Sequence, residues 1–272
     1  MDAYFAAKLR LFAEVVDEGG TAVVWSDDGA HSARVTEVAR ARGLRVLTVG
    51  EEGEALRLAS RAPSRLGQVL TIEHAGRSHK VTLPLIGAYQ AANACVAAGL
   101  VIATGGDAGR TLEHLARVTP VRGRLERAAI TRRGAPVYVD YAHTPDAIAA
   151  AAAALRPHTG KRLIIVFGAG GDRDRGKRPE MGRAATHVAD LVIVTDDNPR
   201  NEDPAAIRHE ILAGAPHARE VPGRREAIAE AVAIAGPEDV VLLAGKGHEQ
   251  GQVIGDRVLA FDDVTVAREC AA

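Results

Sequence analysis

Four clusters of charged and hydrogen-bonding residues each follow a run of apolar, mostly β-branched residues. Residues 163–167 (LIIVF) lead into a Gly-rich loop that carries Asp172, Arg173, Asp174, Arg175, Lys177 and Arg178. Residues 191–194 lead into Asp196, Asp197, Asn198, Pro199 and Arg200, and residues 137–139 into Asp140, Tyr141 and His143. Residues 240–243 lead into Gly245, Lys246, Gly247, His248 and Glu249. Arg offers a planar fork matched to a carboxylate, and a neighbouring Asp and Asn can orient an ammonium. Asp197, Asn198 and Arg200 therefore suit the head of a zwitterionic amino acid, although a surface turn leading to a helix cap at Asp203-Pro204 uses the same residues. The glycines at 245 and 247 let backbone groups approach a ligand closely, and Glu249 can pair with an amine. His248 alone reads as structural. Asp140 and His143 can grip a base or ribose, but packing of His143 under its own loop is the stronger reading.

Two nucleotide motifs are nearly matched and then broken. Gly168-Ala169-Gly170 after a strand would need a third glycine where Arg173 stands, which argues against a nicotinamide or flavin site. Residues 171–177 have phosphate-loop spacing, yet Arg178 occupies the position of the magnesium-binding Ser or Thr, and Asp172 and Asp174 would repel the phosphates. Lys8 interrupts the apolar face of the first helical stretch, where snorkelling to solvent accounts for it.

The elements that must position these residues alternate. Short apolar runs read as strands buried on both faces, and amphipathic or Ala-rich stretches near residues 147–156, 179–189, 204–213 and 224–235 read as helices. In open α/β sheets, ligands bind outside the carboxyl ends of the strands. All four clusters belong at that edge. Upstream, residues 2–16 and 31–42 have helical spacing, 22–25 and 45–49 read as strands, and 68–73 with 79–83 read as a hairpin around Ala75-Gly76-Arg77. Residues 88–104 read as a long Ala-rich helix. The Pro/Gly/Arg stretch at 119–124 reads as a linker, which divides the chain into domains at 1–120 and 121–272.

Composition narrows the function class. The 272 residues carry a net charge of −1, so no global field draws the chain to nucleic acid or an acidic membrane. Aromatics are 3% of the chain, which argues against base stacking as a mode of recognition. Cys95 and Cys270 have no metal-ligand spacing, which favours a reduced, cytoplasmic protein. No apolar tract is long enough to span a bilayer. The first domain opens on a helix and holds no phosphate loop, so truncation at its N-terminus is expected.

Together TDDNPR (195–200), GGDRDRGKRP (170–179), DYAHTPDA (140–147), GRLE (123–126) and AGKGHE (244–249) resemble the Mur ligases, and the similarity extends from AAKLRLF (6–12) onward. The resemblance implies an α/β protein: the remainder of a central mononucleotide-binding domain, then a Rossmann-like C-terminal domain with a mostly parallel sheet. It implies an ATP- and Mg2+-dependent amide ligase of peptidoglycan synthesis, cytoplasmic and monomeric. That ligase would join meso-diaminopimelate to UDP-N-acetylmuramoyl-L-alanyl-D-glutamate through an acyl phosphate. By resemblance, Arg173, Asp197, Asn198, Arg200, Gly245 and Glu249 form the diaminopimelate pocket. Arg124, Asp140, His143 and Asn93 contact the nucleotide. Lys8 matches a family lysine that becomes a carbamate supporting magnesium, which reverses the snorkelling reading. The sequence departs from the family pattern at Gly87-Ala88-Tyr89-Gln90, which retains only Asn93 of the asparagines there. Without a phosphate loop, these 272 residues alone are expected to show no turnover, and a non-catalytic binding module or split-chain partner is the alternative.

Overall fold

The computed structural model describes residues 2–64 and 67–272. It divides into two compact units, Met1–Thr119 and Pro120–Ala272.

The first unit opens on α1 (Asp2–Arg10), which runs into a π-helical turn at Leu11–Val15, so the expected single helix is interrupted. Then follow β1 (Thr21–Trp25), α2 (Gly29–Ala41), β2 (Arg45–Gly50), β3 (Leu56–Ser64), β4 (Gly67–His74) and β5 (Arg77–Leu83). α3 (Ala88–Ala103) and α4 (Ala108–His114) close the unit. The five strands lie in sequence order, β1 to β3 parallel and β3 to β5 antiparallel. Ala75 and Gly76 both have positive φ (47° and 73°), the geometry of a two-residue hairpin turn that follows the strand twist. β3 escapes the sequence reading because only Leu56 and Leu58 of its residues are buried. α3 packs on β1 and β2 through its small residues, with Ala91, Ala94, Cys95 and Ala98 in the core.

The second unit contains β6 (Glu126–Ile130), β7 (Pro136–Asp140), α5 (Pro145–Leu155), β8 (Leu163–Phe167), α6 (Lys177–Val188) and β9 (Leu191–Val194). Next come α7 (Pro204–Leu212), β10 (Arg219–Glu220), α8 (Arg224–Ile234), β11 (Val240–Ala244), β12 (Gly251–Ile254), β13 (Arg257–Ala260) and α9 (Asp263–Ala271). Six strands form one sheet in the order β10-β9-β8-β11-β7-β6, parallel except for β6. Every residue of β8 and β11 is buried. That follows from continuous apolar runs in central strands covered on both faces. Thr144 and Asp203 cap α5 and α7, each followed by Pro at the first helical position. No helix among the described residues is long and apolar enough to cross a membrane.

Because β11 inserts between β7 and β8, the carboxyl ends of β7, β11, β8 and β9 lie side by side. The loops leaving them form one rim.

Candidate functional site

At that rim a cavity of about 280 Å³ is lined by Tyr141 and His143 after β7, and by Gly168, Gly170, Arg173 and Lys177 after β8. Asp197, Asn198 and Arg200 after β9, with Gly245 and Glu249 after β11, complete the wall. Ligand pockets run from about 300 Å³ upward, so this one has room for an amino acid rather than a dinucleotide.

The glycines after β8 have a spatial cause that is not phosphate binding. A Cβ on Gly168 would stand 2.4 Å from the Thr195 carbonyl oxygen, and one on Gly171 would stand 1.9 Å from that of Pro199. The β8 and β9 loops pack backbone against backbone, and the Gly171 N–H donates to the Asn198 carbonyl at 2.9 Å. Gly245, at φ +113°, lets the Asp197 carboxylate sit beside the β11 loop, since a Cβ would lie 2.8 Å from Oδ2.

Asn198 is buried and fully oriented. Its Oδ1 accepts from Lys246 Nζ (2.9 Å) and from the Val253 N–H (3.0 Å). Its Nδ2 must then donate, and it does so to Glu249 Oε2 at 2.8 Å. Lys246 has no exposed surface, and its ammonium also lies 3.3 Å from Glu249 Oε2. Arg224, equally buried, is held by Asp263 through Nε and Nη2 (2.7 and 2.6 Å) and stands 3.7 Å from Asp197 Oδ2. Two buried cations thus stand behind the two carboxylates that face the cavity.

Arg200 adopts the left-handed conformation (φ 52°). Its N–H donates to the Val253 carbonyl, and its own carbonyl accepts from Gly255. The β12–β13 hairpin therefore fixes its backbone, and Nη1 donates to the Gly171 carbonyl at 2.8 Å. Among the described residues Nε and Nη2 make no hydrogen bond. Arg173 is exposed and lines the cavity beside Arg200: a Cβ on Gly170 would lie 2.8 Å from Arg200 Nη1 and 3.7 Å from Arg173 Cγ.

On the β7 side the two expected residues stand apart. Asp140 does not line the cavity. Its Oδ2 accepts from the Leu125 N–H (2.8 Å) and its Oδ1 from the Ala142 N–H (2.9 Å). Burial pushes its carboxyl above the usual range, opposed by those two hydrogen bonds and by the Arg124 charge. It shapes the loops around the site. His143 does line the cavity, with Nδ1 2.8 Å from the Tyr141 carbonyl oxygen. The Arg124 guanidinium lies 4.9 Å from the centre of the Tyr141 ring, a cation–π distance. Three loops meet here: a Cβ on Gly123 would come within 2.3 Å of the Gly247 backbone.

Lys8 and Asn93 belong to the first unit. Lys8 is exposed, 5.5 Å from the centre of the Tyr4 ring, and α1 buries no residue, so the lysine is not enclosed in an apolar face. It lines a cleft of about 570 Å³ with Phe5, Phe12, Trp25, Asp27, Asp28 and His31. Asn93 is exposed on α3. Among the described residues no three His, Cys, Asp or Glu side chains converge on a cation position. Magnesium commonly needs only one or two carboxylates beside substrate phosphates. A carbamate on Lys8 would supply one.

Sequence reasoning put Lys246 and Arg178 at this edge without a role, and it missed Arg224, Glu202, Gln252, whose Nε2 donates to the Asp197 carbonyl at 2.7 Å, and Val253. A signal existed for the last two: Gly255-Asp256 between apolar stretches is a hairpin turn sequence.

Two family profiles match the chain: Mur ligase middle domain over residues 1–101 and Mur ligase, glutamate ligase domain over residues 123–247. The UDP-N-acetylmuramoyl-L-alanyl-D-glutamate--2,6-diaminopimelate ligase of Zymomonas mobilis is 58% identical over 99% of this chain and 56% of its own length. The enzyme of that name from Caulobacter vibrioides is 52% identical over 97% of this chain and 54% of its own length. The chain spans just over half the length of these relatives. Among solved structures, one of a ligase with the same name superposes with a TM-score of 0.71 at 34% identity, over 99% of this chain and 56% of the other. Mycobacterium tuberculosis folylpolyglutamate synthase complexed with ADP shares the fold, with a TM-score of 0.68 at 24% identity over 89% of this chain and 56% of the other.

Proposed function

The chain belongs to the Mur ligase family, with that family's middle and C-terminal domains, and from this premise we propose that it serves an ATP-dependent ligation in peptidoglycan synthesis. The acceptor is UDP-N-acetylmuramoyl-L-alanyl-D-glutamate and the incoming amine is meso-2,6-diaminopimelate. The acceptor's side-chain carboxylate attacks the γ-phosphorus of ATP and ADP leaves. The amine nitrogen then attacks the acyl carbon, phosphate departs, and the ammonium proton is lost. Mg2+, when bound, neutralises charge on the transferring phosphoryl group, with a carbamate on Lys8 as its support from this chain.

The residues divide the work by charge. Arg200, with Nε and Nη2 available, takes the carboxylate at the far end of diaminopimelate, and Arg173 adds positive charge beside it. Asp197 and Glu249 receive an ammonium, Asn198 orients Glu249 through its Nδ2, and Gly245 leaves the space that Asp197 needs. Arg124, Tyr141 and His143 form the nucleotide-facing side of the second unit, and Asp140 holds that side in shape. One observation carries the reading: the Arg200 guanidinium and the Glu249 carboxylate line the same amino-acid-sized cavity.

Titration calorimetry tests it, because binding of the amino acid needs no phosphate loop. meso-Diaminopimelate should bind, and lysine, which lacks the second carboxylate, should bind at least tenfold more weakly. Equal affinities for the two would sink the assignment.

A further inference from the structure

Next to Arg173 and Arg200 in the chain lies a cluster with no place in the proposed chemistry. Arg178, on α6, has no exposed side-chain surface. Its Nη1 and Nη2 donate side by side to the two oxygens of Glu202 (2.9 and 2.8 Å), Nη1 also reaches Glu210 at 2.8 Å, and Nη2 reaches the Gly170 carbonyl at 3.1 Å. Glu202 closes the circuit by accepting the Asp172 N–H at 2.6 Å. Asn201 Nδ2 donates to Asp172 Oδ2 at 2.9 Å. The cluster therefore grips the β8 loop at Gly170 and Asp172 and the β9 loop at Asn201 and Glu202. Arg173 is one residue beyond the first grip, and Arg200 is one residue before the second.

A second observation points the same way. Asp172 and Arg200 are both non-glycine residues in the left-handed region, at φ 51° and 52°. Such conformations persist where surrounding contacts over-determine them, and they concentrate at ligand clamps. Here each lies next to a cavity arginine or is one, and the bonds that hold both loops converge on one carboxylate. Glu202 is ionised throughout the physiological range, since Arg178 and the Asp172 N–H hold its carboxyl down at about 2.

We propose that Arg178 and Glu202 are positioning residues that set the spacing of the Arg173 and Arg200 guanidinium groups, and so select a ligand with a second carboxylate. This rests on the amino-acid site proposed above. A buried arginine that only tied α6 to α7 would need Glu210 alone. Its bidentate bond to Glu202 and its bond to Gly170 are what reach the two cavity loops.

The test is calorimetry on the full chain, wild type beside Glu202→Gln and Arg178→Lys, with meso-diaminopimelate and lysine as ligands and the melting temperature recorded in parallel. Glu202→Gln should weaken diaminopimelate at least tenfold and change lysine less than twofold. Arg178→Lys keeps the charge but cannot make the paired bond, and should shift the ratio in the same direction. A lowered melting temperature with an unchanged ratio of affinities in either folded variant would overturn the positioning role alone. A wild type that does not separate the two ligands would overturn this proposal together with the reading beneath it.

Discussion

The loops after β7 and β9 look alike in sequence and differ in use. Both follow a buried strand, and each places a nearly buried aspartate at its start, Asp140 at 7% exposure and Asp197 at 8%. Asp140 has both oxygens taken by backbone N–H groups of its own side of the sheet. Asp197 gives Oδ1 to the Asn198 N–H at 2.7 Å, and Oδ2 stands beside Gly245 at the cavity with Arg224 behind it. One carboxylate is consumed in holding a turn. The other keeps an oxygen on a ligand-sized space. A charged residue at the carboxyl end of a strand is therefore a candidate only until its lone pairs have been counted.

Substitutions can break that contrast. Asp140→Ala leaves two buried N–H groups without acceptors, at about 1–3 kcal/mol each. Chemical denaturation should show a loss of about 2–6 kcal/mol, while the protein that remains folded keeps its affinity for meso-diaminopimelate. Asp197→Ala should do the reverse, with affinity falling further than stability. If the two variants behaved alike, the distinction between the loops would be gone. Arg200→Lys loses the planar fork, worth about 1–3 kcal/mol for a charged hydrogen bond, or roughly a 5- to 150-fold weaker titration curve. Lys246→Met removes one charge-assisted bond from Asn198 and Glu249 and should weaken diaminopimelate about tenfold, with Val253 still orienting the amide.

Acid sharpens the comparison with the smallest effect. The Glu202 carboxyl is lowered from 4.5 to about 2, first by its bond from Arg178. Its stabilisation is complete above the unfolded value and is lost as pH falls from 4.5 towards 2. Asp140, raised by burial, works oppositely, because its desolvation cost is relieved on protonation. Hydrogen exchange across this interval should show the amides of residues 171–173 opening before that of Leu125. Simultaneous opening would contradict the assignment of the two carboxylates.

Much of the second unit was readable in its sequence. Residues 163–167 and 240–243 are continuous apolar runs, and their short length, branched residues and flanking glycines mark them as buried strands. Thr144-Pro145 and Asp203-Pro204 start helices by local chemistry. The β12–β13 hairpin was harder: Val258 is 71% exposed, so its strands lack the apolar alternation that marks a buried face. The apolar face read around Lys8 failed for another reason. Its apolar neighbours belong to a helical stretch broken by a π turn, and the helix around it buries nothing.

Sequence alone determined which residue types stand at the strand ends, because strand period, helix caps and turn chemistry act over a few neighbours. Tertiary structure decided which of those side chains remain available. Asn198 is oriented by Lys246 and Val253, 48 and 55 residues away, and Asp140 is occupied by Leu125, 15 residues upstream. Hydrogen-bond capacity is finite and is filled by whatever the fold brings within about 3 Å. That allocation follows strand order, which no local pattern encodes.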